Sequence, residues 1–329
     1  MKRRSFIAAA VAAPAVLSFN PLRAQTRQKI TYAYLLDPAY ETVVWAIRNG
    51  RVKSELIDVE ATGLLIPQLL QATSAKQYDV VMTAVIGLPA GLARGLELRI
   101  LSAALQNSPS GEGGGVWVKK DSPLKSGAEL KGKTLGSYGL RSTGYMFVRE
   151  ALSKEFGLNM ALEGGDVRQV EVQAPNLPAA LATGQVEAAS LIHSQAWRAK
   201  QSGDFVNIVE SGQVLNKLYG PLVSAINVSY PEKLAARAAA FEEFNRMLKD
   251  SVQYALNNRK EVFGAAAKQA NIDQAYFDWW FDKASYVPAV FGPQQAKAVT
   301  TAWEIAKQMG MIKSAPDVAS VTWDKTLRS

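Results

Sequence analysis

Short apolar runs alternate with stretches of helical spacing along the first third of the chain. Bulky residues at every second position, or short continuous apolar runs, predict strands. These strands are expected at 29–35, 57–60, 79–83 and 98–105. Helices are predicted at 42–47 and onward from Pro67, and residues 36–40 are expected to form a loop. This alternation is typical of an α/β fold.

A glycine-rich segment, 108–115, separates this unit from a second one of the same kind. Such a segment feeding a strand is suited to a crossover between two lobes, although an ordinary surface loop has the same composition. The second unit has predicted strands at 116–118, 133–138, 168–172 and 186–192 and helices at 145–156 and 177–183. From Pro231 onward the pattern is mostly helical, and the aromatic cluster 278–281 is expected to be core packing.

The first residues have the layout of a secretory signal. Lys2, Arg3 and Arg4 precede an apolar run over 6–19, and a cleavage point is expected after Ala24. The adjacent arginines resemble a twin-arginine signal, and an ordinary signal with generic positive charge fits as well. The sequence therefore predicts an exported chain with a signal peptide at 1–24, and no later apolar stretch has the length of a membrane span.

Composition and charge restrict the chemistry. The chain has no Cys and one His, which removes disulfides, thiol catalysis, thiolate metal sites and two-histidine metal sites. Four of the 37 basic residues and none of the 29 acidic residues lie in the predicted signal, so the mature net charge falls from +8 to +4. A dispersed charge of this size is typical of a soluble protein without a nucleic-acid partner. No cofactor is expected.

Several sequence motifs that identify common classes of enzyme are missing. There is no Gly-x-Ser-x-Gly turn and no His-Glu-x-x-His helix, and the loop 139–145 lacks the lysine and spacing of a phosphate-binding loop. Paired carboxylates stay open, because any two acids can meet in space. This pattern favours a binding protein over an enzyme.

The segment 136–144 is the best candidate for a binding site. It joins a predicted strand to a helix, Ser142 and Thr143 are good N-cap residues, and Gly144 allows close approach of the backbone. The N–H groups of a first helical turn favour an anion, and Arg141 adds a possible two-pronged clamp. A normal helix cap beside a solvated arginine is the alternative interpretation.

Strand ends supply further candidates, because ligands of open α/β sheets collect beyond the carboxyl ends of the strands. His193 follows the predicted strand 186–192, and a satisfied structural histidine is the alternative. In the first unit, the strand-end candidates are Asp37, Thr83, Ala84 and Asn107.

Three segments together resemble a known family. They are Lys119–Leu124 with Leu130–Gly136, Leu181–Ala189, and Ala75–Val80. Their order and spacing are similar to those of periplasmic solute-binding proteins of ABC importers in the nitrate/sulfonate/taurine group, which includes thiamine-precursor binders. Glu129 and Glu187 replace the family's usual Asp, which leaves the subfamily and the ligand open.

The resemblance implies a two-lobed fold of type II with a ligand cleft between the lobes and a helical C-terminal tail. Lobe one would comprise 28–110 plus 218–329, and lobe two 111–217. It also implies closure on the ligand and delivery to a permease with its ATPase, or presentation to a sensory receptor, by a periplasmic monomer.

An organic anion, either a sulfonate or a carboxylate, is the expected ligand. Five aromatic residues near the candidate loops could stack on an aromatic body: Tyr40, Tyr138, Tyr145, Trp197 and Tyr219. Asp37 would instead suit an amine or a thiamine precursor. An enzyme of the pyrimidine-synthesising branch is a poor fit, because those enzymes resemble iron proteins with a cysteine-rich motif and several histidines.

Overall fold

The computed structural model describes residues 27–329. The predicted signal peptide and its cleavage point lie outside the described residues. Within this part of the chain, no helix combines the length and the apolar character needed to cross a membrane.

The first of two sheets has six strands in the order β11-β4-β10-β3-β1-β2. Its strands are β1 (Gln28–Leu35), β2 (Ile57–Leu64), β3 (Val80–Ala84), β4 (Arg99–Asn107), β10 (Val223–Ser229) and β11 (Ser285–Tyr286). β1 runs parallel to both β2 and β3, whereas β10 lies antiparallel between β3 and β4. The sheet is therefore completed by a strand that returns from far along the chain.

The second sheet has five strands in the order β7-β6-β8-β5-β9. Its strands are β5 (Gly114–Lys119), β6 (Thr134–Ser137), β7 (Arg168–Glu171), β8 (Ala188–Ile192) and β9 (Phe205–Val209). β6 runs parallel to β7 and β8, and β5 is antiparallel to β8 and β9. Two mixed sheets with helices confirm the predicted α/β class. The pattern predicts neither β9 nor β10.

Helices cover both sheets. They are α1 (Pro38–Arg48), α2 (Ile66–Ser74), α3 (Gly87–Leu92), α4 (Thr143–Phe156), α5 (Leu177–Ala182), α6 (His193–Ser202), α7 (Ser211–Tyr219), α8 (Pro231–Ala236), α9 (Ala238–Asn257), α10 (Arg259–Ala270), α11 (Ala275–Trp279) and α12 (Pro293–Gln308). The expected loop at 36–40 is wrong in its second half. Asp37 is the N-cap of α1 and Pro38 takes its first position, where a missing N–H is harmless, so the helix starts four residues before the predicted 42.

Two segments connect the sheets, 108–113 and 210–222. Gly111 and Gly212 pack backbone to backbone there, and a Cβ on Gly111 would lie 2.6 Å from the carbonyl carbon of Gly212. Only glycine permits this approach, so the two crossovers lie side by side as a double connection. The lobe boundaries at 110 and 217 stay a prediction.

The C-terminal helices return to the first sheet. Phe241, Phe244 and Leu248 of α9 are buried in one core with residues of α1 and β1. α12 packs on the other face, where the Trp303 Nε1–H donates to the Val85 carbonyl oxygen at 2.8 Å. The predicted helical tail is confirmed, and the expected packing role of the aromatic cluster holds for Trp280, which is fully buried.

Candidate functional site

A cavity of about 720 Å³ is lined by residues from both sheets and their helices. From the first lobe come apolar side chains of α2 and the end of β3, and from the second lobe come the loop after β6 and the start of α4. Of the sequence-predicted candidates, the cavity wall includes Thr83, Ala84, Asn107, Tyr138, Arg141, Ser142, Thr143, Gly144 and His193.

The loop before α4 is built around Ser142. Its backbone is extended, its Oγ accepts from the Tyr145 N–H at 3.3 Å, and its hydroxyl donates to the Gly139 carbonyl oxygen at 2.8 Å. This is the expected helix cap. The Tyr138 hydroxyl covers the first turn at Gly144, and a Cβ there would displace it.

The first turn of α4 has unused hydrogen-bonding groups. Among the described residues, the N–H groups of Thr143 and Gly144 have no acceptor, since the cap takes only that of Tyr145. The Thr143 hydroxyl is buried and also has no partner in this part of the chain. Free donors at a helix N-terminus, where the dipole is positive, suit an anionic group. Arg141 lies at the same wall and is exposed.

The first lobe contributes strand ends to the opposite wall. Thr83 and Ala84 close β3, and the Thr83 hydroxyl is buried without a partner among residues 27–329. Asn107 closes β4, and its backbone N–H donates to the Leu222 carbonyl oxygen at 3.0 Å. The side chains of both strand ends reach the cavity wall, as the strand-end rule predicts.

His193 joins the two lobes. It is the first residue of α6, directly after β8, and its φ of 51° lies in the left-handed region. Its Nδ1 accepts from the Trp280 Nε1–H at 2.8 Å, and the two rings stack with centroids 6.0 Å apart. Because Nδ1 accepts, the neutral ring carries its proton on Nε2.

Two candidates near the start of α1 do not line the cavity. Asp37 accepts from the Ala39 N–H at 2.9 Å and from the Tyr276 hydroxyl at 3.1 Å. Tyr40 is fully buried, and its hydroxyl donates to the Ala104 carbonyl oxygen. Both side chains therefore have structural partners in the core of the first lobe.

Two further candidates pack elsewhere at the junction of the lobes. Trp197 is buried against Tyr276 and Trp279, with ring centroids 6.2 and 5.4 Å away. Tyr219 is half-buried, and its hydroxyl donates to Glu150 Oε1 at 2.6 Å. Neither is part of the cavity wall.

Charged residues that sequence reasoning missed also line the cavity. Arg94 reaches it from the first lobe and Arg149 from α4, so with Arg141 three guanidinium groups are present. Two carboxylates balance them: Glu112, which accepts from Trp279 Nε1 at 3.1 Å, and Glu171, which accepts from the Leu140 N–H at 3.0 Å. The helical pattern gave no signal for Arg149, because a single arginine within a helix is usually solvated.

The crossovers carry a pair of carboxyl groups. Burial and the charge of Glu112 raise the pKa of Glu210 to about 7, against weaker opposing effects of Asn207 and Lys200. Glu112 lies on the first crossover and Glu210 at the start of the second. The charge interaction of these two acids therefore acts between the two crossovers. In residues 27–329, no group of three metal-ligating side chains is positioned to hold a metal ion.

A known protein family matches more than half of the chain. The family model described as "NMT1/THI5 like" matches residues 66–262. No curated protein sequence matches the chain.

Solved structures resemble this one over most of its length. The periplasmic aliphatic sulphonate binding protein SsuA from Escherichia coli is 14% identical, with 92% of this chain and 94% of that chain covered and a TM-score of 0.73. The alkanesulfonate-binding protein SsuA from Xanthomonas axonopodis pv. citri, bound to MOPS, is 18% identical. The match covers 90% of this chain and 98% of that chain, with a TM-score of 0.71. A DszB variant in complex with biphenyl-2-sulfinic acid is 14% identical. The match covers 90% of this chain and 96% of that chain, with a TM-score of 0.65. At these identities the likeness shows a shared fold.

Proposed function

Because the chain belongs to the NMT1/THI5-like family and has the periplasmic binding protein fold, we propose that it is the extracytoplasmic solute-binding component of an ABC importer. It captures a small organic anion, a sulfonate or an aromatic or aliphatic carboxylate, between its lobes and delivers it to a permease and its ATPase. Two structural relatives are sulfonate-binding proteins, which supports this ligand class.

The observation that carries the proposal is the unpaired start of α4. The N–H groups of Thr143 and Gly144 and the buried Thr143 hydroxyl lack acceptors among the described residues, at the positive end of a helix. A sulfonate or carboxylate oxygen would satisfy all three donors. Arg141, exposed at the same wall, adds a charge-assisted hydrogen bond when the cleft closes over the anion.

The rest of the wall suits an apolar body. Its apolar side chains come from α2, the loop after α4 and the segment that follows α12. They include Ile66, Leu69, Leu70, Leu162, Met309, Met311 and Ile312. A volume of about 720 Å³ lies within the range of small-molecule sites. The proposed ligand therefore has an anionic head and a hydrophobic tail or ring.

Closure is supported by contacts that cross between the lobes. The Trp280–His193 hydrogen bond is one of them, and the packing of Trp197 on Trp279 is another. Both involve residues of α6 on one side and of the segment 275–284 on the other. Ligand held between the lobes would favour the state in which these contacts form.

An amine or thiamine-precursor ligand is the alternative that Asp37 raised. The Asp37 carboxylate is occupied by Ala39 and Tyr276 and lies off the cavity wall, which favours the anion. The enzyme alternative would need the cysteine-rich motif of its branch, and this chain has no Cys.

A thermal-shift screen of residues 25–329 tests the proposal, with sulfonates, aromatic and aliphatic carboxylates, nitrate and thiamine precursors as ligands. A true ligand at 100 times its Kd adds about 2.7 kcal/mol of stability. Arg141→Ala is expected to weaken binding of an anion about tenfold, while Arg51→Ala, which removes an exposed arginine in the turn after α1, serves as the control. Hits confined to amines would contradict the anion proposal, and full affinity in Arg141→Ala would contradict the clamp.

A further inference from the structure

Arg149 is a buried arginine without a counter-charge. It lies in the middle of α4 and is only 3% exposed. Its Nε–H donates to the Met160 carbonyl oxygen at 2.9 Å, whereas Nη1 is enclosed and has no acceptor among the described residues. In the same part of the chain, no carboxylate lies within 4.0 Å of its guanidinium. Such a group is rare, because burying a charge is unfavourable unless it is paired.

The neighbouring groups do not supply the missing partner. Glu150 is the next residue, but it accepts from the Tyr219 hydroxyl at 2.6 Å and lies 3.8 Å from Lys154. Tyr145, one turn earlier, donates its hydroxyl to Gln169 at 2.9 Å and is neutral. Burial lowers the pKa of Arg149, as expected for a cation with no anion beside it. Even so, a guanidinium stays protonated in proteins.

Arg149 is part of the cavity wall, together with Ala161 and Leu162. Nη2 also has no acceptor among residues 27–329 and, unlike Nη1, is not enclosed, so a ligand in the cleft can reach the guanidinium through it. A buried donor left without an acceptor destabilises the ligand-free protein, and an anionic group placed there would remove that penalty.

The Arg149 site is separate from the start of α4. Thr143 and Arg149 are six residues apart, so their Cα atoms lie about 9 Å apart along the helix axis. Arg149 is also held on the side of Met160 by its Nε–H bond, about 120° around the helix from Thr143 at 100° per residue. The hydrogen bond to Met160 therefore holds the guanidinium on a different side of α4 from Thr143.

We infer that the ligand carries two anionic groups, one bound at the start of α4 and the other by Arg149, joined by an apolar spacer. This inference rests on the proposed function and deepens it by naming the ligand class: dicarboxylates and sulfocarboxylates. Arg149 is a specificity-determining residue that selects dianions over monoanions. Phe147 and Val148, which lie between Thr143 and Arg149 in α4, are also part of the cavity wall.

Titration calorimetry with matched ligand pairs tests this inference. The probes are α,ω-dicarboxylates of four to ten carbons with the monocarboxylates of equal length, and benzene-1,4-dicarboxylate with benzoate. The intact protein should bind the best dianion about 10- to 150-fold more tightly than its monoanion, the range expected for a charge-assisted hydrogen bond. Arg149→Gln should abolish that preference, because it weakens binding of the dianion far more than binding of the monoanion.

Arg149→Lys keeps the charge without the planar fork, and circular dichroism checks that both variants fold. The lysine variant should retain part of the dianion preference, which a role in packing alone would not predict. A dianion preference that survives in Arg149→Gln, or its absence from the wild-type protein, would overturn the inference. If only monoanions bind, the solute-binding proposal stands without this refinement; if no anion binds, both proposals fail.

Discussion

Glu210 gives the clearest prediction for stability, because its environment opposes its charge. It lies where the second crossover begins, near Glu112 on the first, and these two effects raise its pKa from 4.5 to about 7. Its Oε2 atom is buried without a partner among the described residues. The perturbation is Glu210→Gln, which removes the charge and keeps the shape.

The effect of pH on the stability of the fold follows from proton binding by Glu210. Below pH 4.5 the carboxyl group is protonated in both the folded and the unfolded chain, so it does not weaken the fold. Between pH 4.5 and 7 only the unfolded chain loses its proton, and the folded state becomes progressively less stable. Above pH 7 the loss is complete and amounts to at most about 3 kcal/mol. Since the side chain is partly solvated, we expect Glu210→Gln to gain about 1 to 3 kcal/mol at pH 8 and almost nothing at pH 4.5.

Urea unfolding followed by tryptophan fluorescence at intervals from pH 4.5 to 9 measures this difference. Glu112→Gln should recover part of the gain, because it removes the smaller of the two causes. Glu163→Gln, an exposed acid in the loop after α4, is the control and should change stability by less than about 0.5 kcal/mol. Parallel pH profiles for the wild type and Glu210→Gln would refute the reasoning.

Three other substitutions are informative. Thr143→Val should stabilise the ligand-free protein by about 1 kcal/mol, since it removes a buried hydroxyl without an acceptor. The same substitution should weaken anion binding. Thermal melts without ligand measure the gain in stability, and calorimetry measures the loss of affinity. Trp280→Phe removes the donor to His193 Nδ1 and should raise the ligand's Kd about fivefold by disfavouring closure; an unchanged Kd would contradict that role. Burial raises the pKa of Asp79, but the Thr31 N–H and Arg237 outweigh it and hold the pKa below its usual value. Asp79→Asn should therefore lose about 2 kcal/mol at pH 7, a deficit that shrinks as the pH falls through that lowered pKa, and urea midpoints at pH 7 and 3 measure it.

The sequence predicted the helices and strands that depend on a strong local pattern. Ser142 followed by apolar residues at helical spacing predicted the cap and most of α4, and Gly157 ends that helix with a φ of 67°, as expected of a C-terminal glycine. The apolar runs at β1, β3 and β4 predicted buried strands. These elements follow from periodicity and capping, which depend only on neighbouring residues.

The strand that completes the first sheet escaped prediction for a physical reason. β10 contains Asn227, which is fully buried and polar, a combination that argues against a central strand. In the fold its amide oxygen accepts from the Tyr32 hydroxyl and its amide nitrogen donates to Ser102 Oγ, both at 3.0 Å. These partners are 195 and 125 residues away, so no local pattern reveals them.

Taken alone, the sequence determined the α/β class, the family resemblance and nine residues of the cavity wall, because strand ends and helix starts are set locally. Tertiary structure alone decided which strand-end side chains face the cavity. It turned Asp37 toward Tyr276 and Tyr40 into the core, where their hydrogen bonds are satisfied. It also left Arg149 buried beside the cavity without a counter-charge. Burial and pairing depend on what the rest of the chain brings near a residue, and that information is not local.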